Sequence, residues 1–271
     1  MKIQIIKKGI ADSLQNAGNY GNQHIGVQVG GFMDYFSAQL ANKILGNPLD
    51  KELYEIHFPA SHFRFEEDGY IAITGANFVP VLNEKSIPLH EIIHVKKGDL
   101  LQFLKPMLGR ISYLAMTLDK PALTLTNRNL IEKIDKLLFT PAPMRFIPGP
   151  AWNDLDTSSI QAILHEPFQT TLQSNRMGFQ LEGPAIKTIV SKSYLSAGVT
   201  RGTMQLLPNG QIIILMADHQ TIGGYPNLGQ IILVDLPRLA QMVHHTPIHF
   251  SLCNLSMAHE QYQFIQAQFT S

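Results

Sequence analysis

One cysteine, Cys253, stands in 271 residues, so no intramolecular disulfide can form and a disulfide-stapled secreted scaffold is excluded. Charge is scarce too. Charged residues make up 15%, against roughly 25% in ordinary soluble domains. The 21 Lys plus Arg are matched by 21 Asp plus Glu, which leaves no net basic field for nucleic acid or an anionic membrane. The longest purely apolar run, Ile212 to Ala217, is far too short for a hydrocarbon layer of about 30 Å. At the amino end, Ile3 to Ile6 is broken by Gln4 and followed by Lys7-Lys8, too little for a signal peptide's apolar region. The expectation is a cytoplasmic protein that binds neither nucleic acid nor membrane. The standard phosphate loops, G-x-x-x-x-G-K-[ST] and G-x-G-x-x-G, are missing, as is the G-x-S-x-G nucleophile elbow, so any nucleotide must be held by other means.

What the chain has is apolar bulk (45%), 20 glycines and 16 prolines, the composition of a protein that buries much and turns often. Three strand–turn–strand patterns stand out. Phe63 to Phe65 and Tyr70 to Thr74 flank a turn ending in Asp68-Gly69. Ile92 to Val95 and Leu100 to Leu104 flank Lys96-Lys97-Gly98-Asp99. Leu206-Leu207 and Gln211 to Met216 flank Pro208-Asn209-Gly210. Helices are fewer. Asp34 caps a stripe of Phe36, Leu40, Ile44 and Leu45 that Gly46-Asn47-Pro48 stops, and Asp156 caps Thr157 to His165. Leu236 to Val243 and Ser256 to Phe269 complete the set, the last with Ala258, Tyr262 and Ile265 inward. The fold class read from this is mainly β, with helices closing the ends of barrels. The least organised stretch, Thr117 to Pro143, marks a linker at 117–143 between domains at 1–116 and 144–271.

His90-Glu91-Ile92-Ile93-His94 matches the zinc-protease pattern H-E-x-x-H. That pattern needs a helix, where residues four apart lie about 6 Å from each other and both rings reach one ion. On a strand the same histidines are roughly 13 Å apart, and the neighbouring Pro88 and Lys96-Lys97-Gly98-Asp99 favour a strand, so no metal is expected here. His244, His245 and His249 read as surface histidines at a turn, and Cys253 as core filler. More informative is Asp218, directly after the apolar strand, where burial at a barrel rim could tune its carboxylate. Gly223-Gly224 lets backbone approach a ligand closely. A plain structural alternative stands beside this: Arg176 and Asp218 as an internal ion pair pinning two loops.

Those residues also carry a resemblance. Met204 to Gly210 followed by Asp218-His219-Gln220-Thr221-Ile222-Gly223-Gly224-Tyr225-Pro226 resembles the hallmark of the second-subunit allophanate hydrolase family. That group includes the C subunit of ATP-dependent 5-oxoprolinase, the Kip antagonist and half of the urea carboxylase carboxyltransferase domain. Ser174 to Gly183 resembles its S-x-R-M-G-x-R-L-x-G motif, with Gln180 in place of arginine, and Gly149-Pro150 matches its strand end. Gly26-Val27, Gly31 to Asp34, Ala41 to Asn47, Glu55 and Thr74-Gly75-Ala76 also correspond. Asn19 and Gln28 replace a usual arginine and proline, and Thr117 to Thr140 lacks the family's Gly-Gly segment and its G-S-R-S-T and G-G-x-x-G-R stretches.

The resemblance implies two cyclophilin-like β-barrel domains and a role like that of the C subunit in an ATP-dependent 5-oxoprolinase, an amidohydrolase that opens the lactam to glutamate. A Kip-inhibitor-like B subunit and a LamB/YcsF-type A subunit would be its partners, with ATP bound through the complex. Arg176 would clamp a carboxylate or phosphate, Asp218 would serve as base or metal contact, and Gln205 and Gln220 would donate to a carbonyl oxygen. Thr221, Gly223, Gly224 and Tyr225 would complete the substrate contacts, all converging on one concave site. Two other functions fit the same likeness: a non-catalytic Kip-antagonist-like regulator, and half of a biotin-dependent carboxyltransferase.

Overall fold

The computed structural model describes residues 1–122, 128–189 and 193–270. Residues 19–33 and 141–267 form one compact unit and the rest of the chain the other. The fold is mainly β, as expected.

The first unit holds two five-stranded sheets. One runs Ile3–Lys7, His62–Phe65, Leu100–Phe103, Pro80–Leu82, Lys85–Ser86, and the other Ser13–Gln15, Leu53–His57, Leu108–Thr117, Gly69–Asn77, Ile93–Val95. Alternation places Phe63, Phe65, Leu101 and Phe103 of the first sheet and Ile56, Ile71, Ile73 and Leu114 of the second in one buried cluster. Helix α1 (Tyr35–Ile44) packs on the two central strands of the second sheet. It starts where expected, with the Asp34 carboxylate accepting from the Ser37 amide at 3.0 Å. Beneath its first turn, the Tyr113 hydroxyl donates to Glu55 Oε2 at 2.8 Å and accepts from the Asp34 amide at 2.6 Å. All three residues are fully buried, and that burial pushes the phenol well above its ordinary range.

Two of the three expected hairpins are corners instead. His62–Phe65 and Gly69–Asn77 belong to different sheets, and so do Ile93–Val95 and Leu100–Phe103. The turns between them lie against each other: Gly98 N donates to Phe65 O and Lys97 N to Asp68 Oδ1, both at 2.7 Å. A tight turn signals only that the chain reverses; which strand becomes the neighbour is decided by burial of both sheets' inner faces. The stretch expected to be a linker contains helix α2 (Arg128–Phe139), which buries Leu130, Ile134 and Leu138. Residues 123–127 of that stretch lie outside the described residues.

The H-E-x-x-H segment is not helical. His90 sits in a turn at φ +61°, and His94 lies on the strand Ile93–Val95, its ring 5.1 Å from that of Tyr70. His90 Nδ1 is 3.7 Å from Asp135 Oδ2 of α2. Burial lowers the imidazole's pKa and raises the carboxyl's, each partly opposed by the other's charge.

The second unit is built on an eight-stranded sheet in the order Pro247–Ile248, Phe168–Thr170, Gly178–Glu182, Ile212–Leu215, Thr203–Leu206, Asn227–Ile231, Met144–Pro148, Phe250–Leu252. Its two edge strands are separated in sequence only by His249, so the sheet wraps until the same stretch of chain forms both edges, a nearly closed barrel. The third expected hairpin is real. Met204, Gln205 and Leu206 pair with Ile214, Ile213 and Ile212, and the tip closes with Gly210 at φ +83°, a conformation that glycine adopts without strain. Helices α3 (Thr157–His165), α4 (Leu236–Gln241) and α5 (Leu255–Thr270) fall where the sequence places them.

Gly149 shows why its motif admits nothing larger. A Cβ there would stand 2.7 Å from Asn227 O and 2.8 Å from Gly229 N, backbone atoms of a paired strand that cannot step aside. Gly149→Ala is therefore expected to cost about 3 kcal/mol, at the upper end of overpacking penalties, checked by denaturant unfolding.

Candidate functional site

The sharpest polar constellation of the second unit gathers where the strand Ile212–Leu215 ends. The chain turns there because Met216 N donates to Met177 O at 3.0 Å and Asp218 N to Arg176 O at 2.8 Å, tying residues 216–218 to the loop before Gly178–Glu182. This backbone pairing sets Arg176 and Asp218 side by side. The guanidinium grips the carboxylate with two bonds, Nε to Oδ2 and Nη2 to Oδ1, each 2.8 Å, and Nη2 also donates to Gly31 O at 2.8 Å. Side-chain exposure is 18% for Arg176 and 28% for Asp218, so the pair is partly desolvated. A second arginine extends the pattern, Arg201 donating to Phe32 O at 2.6 Å and to Met33 O. Successive carbonyls of the 31–33 segment are thus held by two guanidinium groups.

Two residues after Asp218, Gln220 takes part in an amide pair. Gln205 is 1% exposed, and its Oε1 accepts from Gln220 Nε2 at 3.3 Å. Its own Nε2 is buried with no hydrogen-bond partner among the described residues. Gly223 lies against that nitrogen, since a Cβ added there would come within 2.5 Å of it. Thr221 is exposed in side chain, while its carbonyl accepts from Val199 N at 3.0 Å. Gly224 is exposed, and a Cβ there would meet Ser196 Oγ at 3.3 Å.

Tyr225 stands apart from these groups. It lines a depression of about 320 Å³ walled by Lys187, Thr188, Leu206, Leu207 and Pro208, whose lining includes neither Arg176 nor Asp218. The structure therefore joins Arg176 with Asp218 and Gln205 with Gln220 and Gly223, and places Tyr225 in a neighbouring hollow. Three participants escaped the sequence reading: Arg201, the 31–33 backbone and His219. Nothing in a sequence marks which carbonyl an arginine will reach, whereas His219 stood in plain view between Asp218 and Gln220.

Among the described residues no three His, Cys, Asp or Glu side chains are grouped to hold a metal ion, and no helix is long and apolar enough to cross a membrane.

Comparison with known proteins gives this geometry a family. The model of the carboxyltransferase domain, subdomain A and B, matches residues 25–123 and 118–252. The chain is 31% identical over 288 positions to the 5-oxoprolinase C subunit of Escherichia coli (strain K12), covering 94% of this chain and 93% of that one. It is 27% identical to the 5-oxoprolinase C subunit of Haemophilus influenzae, with 91% and 89% covered. Among solved structures, the urea amidolyase of K. lactis superposes with a TM-score of 0.88 at 20% identity, over 98% of this chain and 20% of that one, a likeness of fold. The chain spans about a fifth of that enzyme's length. With the family model matched across most of its residues and a relative 31% identical along nearly its full length, the chain belongs to the carboxyltransferase domain family, subdomains A and B.

Proposed function

We propose that the chain fills the place of the C subunit in an ATP-dependent 5-oxoprolinase, which hydrolyses the lactam of 5-oxoproline to glutamate. It acts with a Kip-inhibitor-like B subunit and a LamB/YcsF-type A subunit. The observation that carries this is the Gln205 amide. A buried donor with nothing to bond costs about 1–3 kcal/mol, so Nε2 is best explained by a ligand acceptor that it meets in the working state. A lactam oxygen is such an acceptor, and a donor fixed in advance is what a carbonyl gathering negative charge requires. Gln220, which spends its own amide on Gln205, holds that donor in place.

The residues here do not fit the phosphates of ATP. Arg176 is engaged by Asp218 and Gly31, Arg201 by Phe32 and Met33, and the sequence has no phosphate loop. ATP therefore belongs with the companion subunits, and Arg176 and Asp218 position the rim of the site. Their closed pairing also favours a second reading, a regulator without catalysis.

Phosphate release dependent on 5-oxoproline separates the two. It is expected from the three subunits together and not from this chain alone. Gln205→Leu should lower the turnover about 100-fold while the protein melts close to wild type. A mixture of all three subunits that releases no phosphate, or this chain releasing it unaided, overturns the 5-oxoprolinase reading.

A further inference from the structure

We propose that His219 is the proton-accepting group of this site, taking a proton from the water that attacks the substrate carbonyl. The substrate rests on the lactam-hydrolysis reading above; the residue rests on its own geometry. His219 is 6% exposed on the turn after Ile212–Leu215, and its Nδ1 lies 2.6 Å from Gln220 O. A carbonyl oxygen can only accept, so Nδ1 is the protonated nitrogen and, in the neutral ring, Nε2 is the one with the lone pair. Among the described residues nothing bonds to Nε2. Unlike Gln205 Nε2, this nitrogen is not closed off from solvent, and it sits on a turn pinned at three backbone positions, so a water can reach a lone pair held in a fixed place.

The neighbours supply one. Gln220 fixes the His219 tautomer with its carbonyl and orients the Gln205 donor with its side chain, so one residue sets both a hydrogen-bond donor and a proton acceptor. Asp218, the acid next in sequence, has both oxygens committed to Arg176 and is the poorer acceptor. In the step proposed, a water O–H bond breaks toward Nε2 as the water oxygen bonds to the carbonyl carbon. The imidazolium then returns that proton to the ring nitrogen of the lactam as the C–N bond breaks, so that one water is added across the lactam. Nothing is oxidised or reduced, and this step consumes one water; the ATP of the proposed reaction is spent in a separate step.

The test uses the assembly of all three subunits and the chain itself. His219→Ala and His219→Gln are expected to lower kcat roughly 10²–10⁴-fold with KM for 5-oxoproline little changed, and added imidazole should restore part of the activity of His219→Ala. Should the alanine variant not fold, His219→Gln carries the measurement, since its amide can still donate to Gln220 O. Retention of kcat within threefold overturns the proposal. If the wild-type assembly shows no turnover of 5-oxoproline, the lactam reading fails and His219 is judged on the chain alone. Long-range ¹H–¹⁵N spectra of the neutral imidazole should then place its proton on Nδ1, and a ring protonated on Nε2 overturns the assignment.

Discussion

Asp235→Ala is expected to cost about 3–5 kcal/mol, enough to lower the melting temperature by roughly 10 °C. The carboxylate is fully buried and accepts from Arg145 three times, from its amide at 2.8 Å, Nε at 3.0 Å and Nη2 at 2.6 Å. Arg238 Nη2 adds a fourth contact at 3.5 Å, with only 7% of that side chain exposed. Hydrogen bonding to Asp235 raises the Arg145 guanidinium's pKa, whereas desolvation lowers that of Arg238. Without the acid, the nearly buried Arg238 guanidinium and the Arg145 guanidinium, 24% exposed, would face each other with no countercharge, and that uncompensated charge is the source of the penalty. Asp235→Asn keeps one acceptor and should lose less. Thermal melts of the two variants check the order, and an alanine variant melting within about 2 °C of wild type would show that the charges are not isolated from water.

Asp218→Asn is expected to lose stability and turnover together. The amide offers one oxygen and places an NH₂ where the guanidinium needs an acceptor, so one charge-assisted bond vanishes and the other weakens, about 2 kcal/mol in all. Arg176→Met breaks the same pair and also frees Gly31 O, so the double variant should cost clearly less than the two single changes added. Since Arg176 also braces the 31–33 segment, turnover of the complex should fall with each variant. Denaturant unfolding and turnover measured on the same preparations decide the matter. An Asp218→Asn protein of wild-type stability with no activity would instead restore the aspartate as the reacting group.

Local chemistry made some of this fold readable and left the rest hidden. Asp34 and Asp156 announce their helices because a short acceptor before an apolar stripe has few other uses, and both caps sit where expected. The Asn-Gly hairpin likewise follows from its own residues. The corners at Asp68-Gly69 and Gly98-Asp99 do not, because the partner of each strand within its sheet is far away in sequence, as Phe63 pairs with Leu101 and Tyr70 with His94. Helix α2 escaped notice because its stripe of Leu130, Ile134 and Leu138 follows a Thr- and Asn-rich run read as a linker. At the site, residue types pointed to Arg176 and Asp218, but a sequence cannot say whether an arginine's donors are free or spent. Only the Gly31, Phe32 and Met33 carbonyls answer that.

Those carbonyls also bear on how the protein is made. Residues 19–33 leave the ribosome well before 141–267, the residues they group with, and the arginines that grip them are translated more than 140 positions later. The early segment must stay unclaimed while the residues around it, 1–18 and 34–140, are already able to condense. Cutting the gene near position 140 would yield two fragments that each lack a strip of the unit they were meant to contain, so neither half carries all the residues of one compact unit.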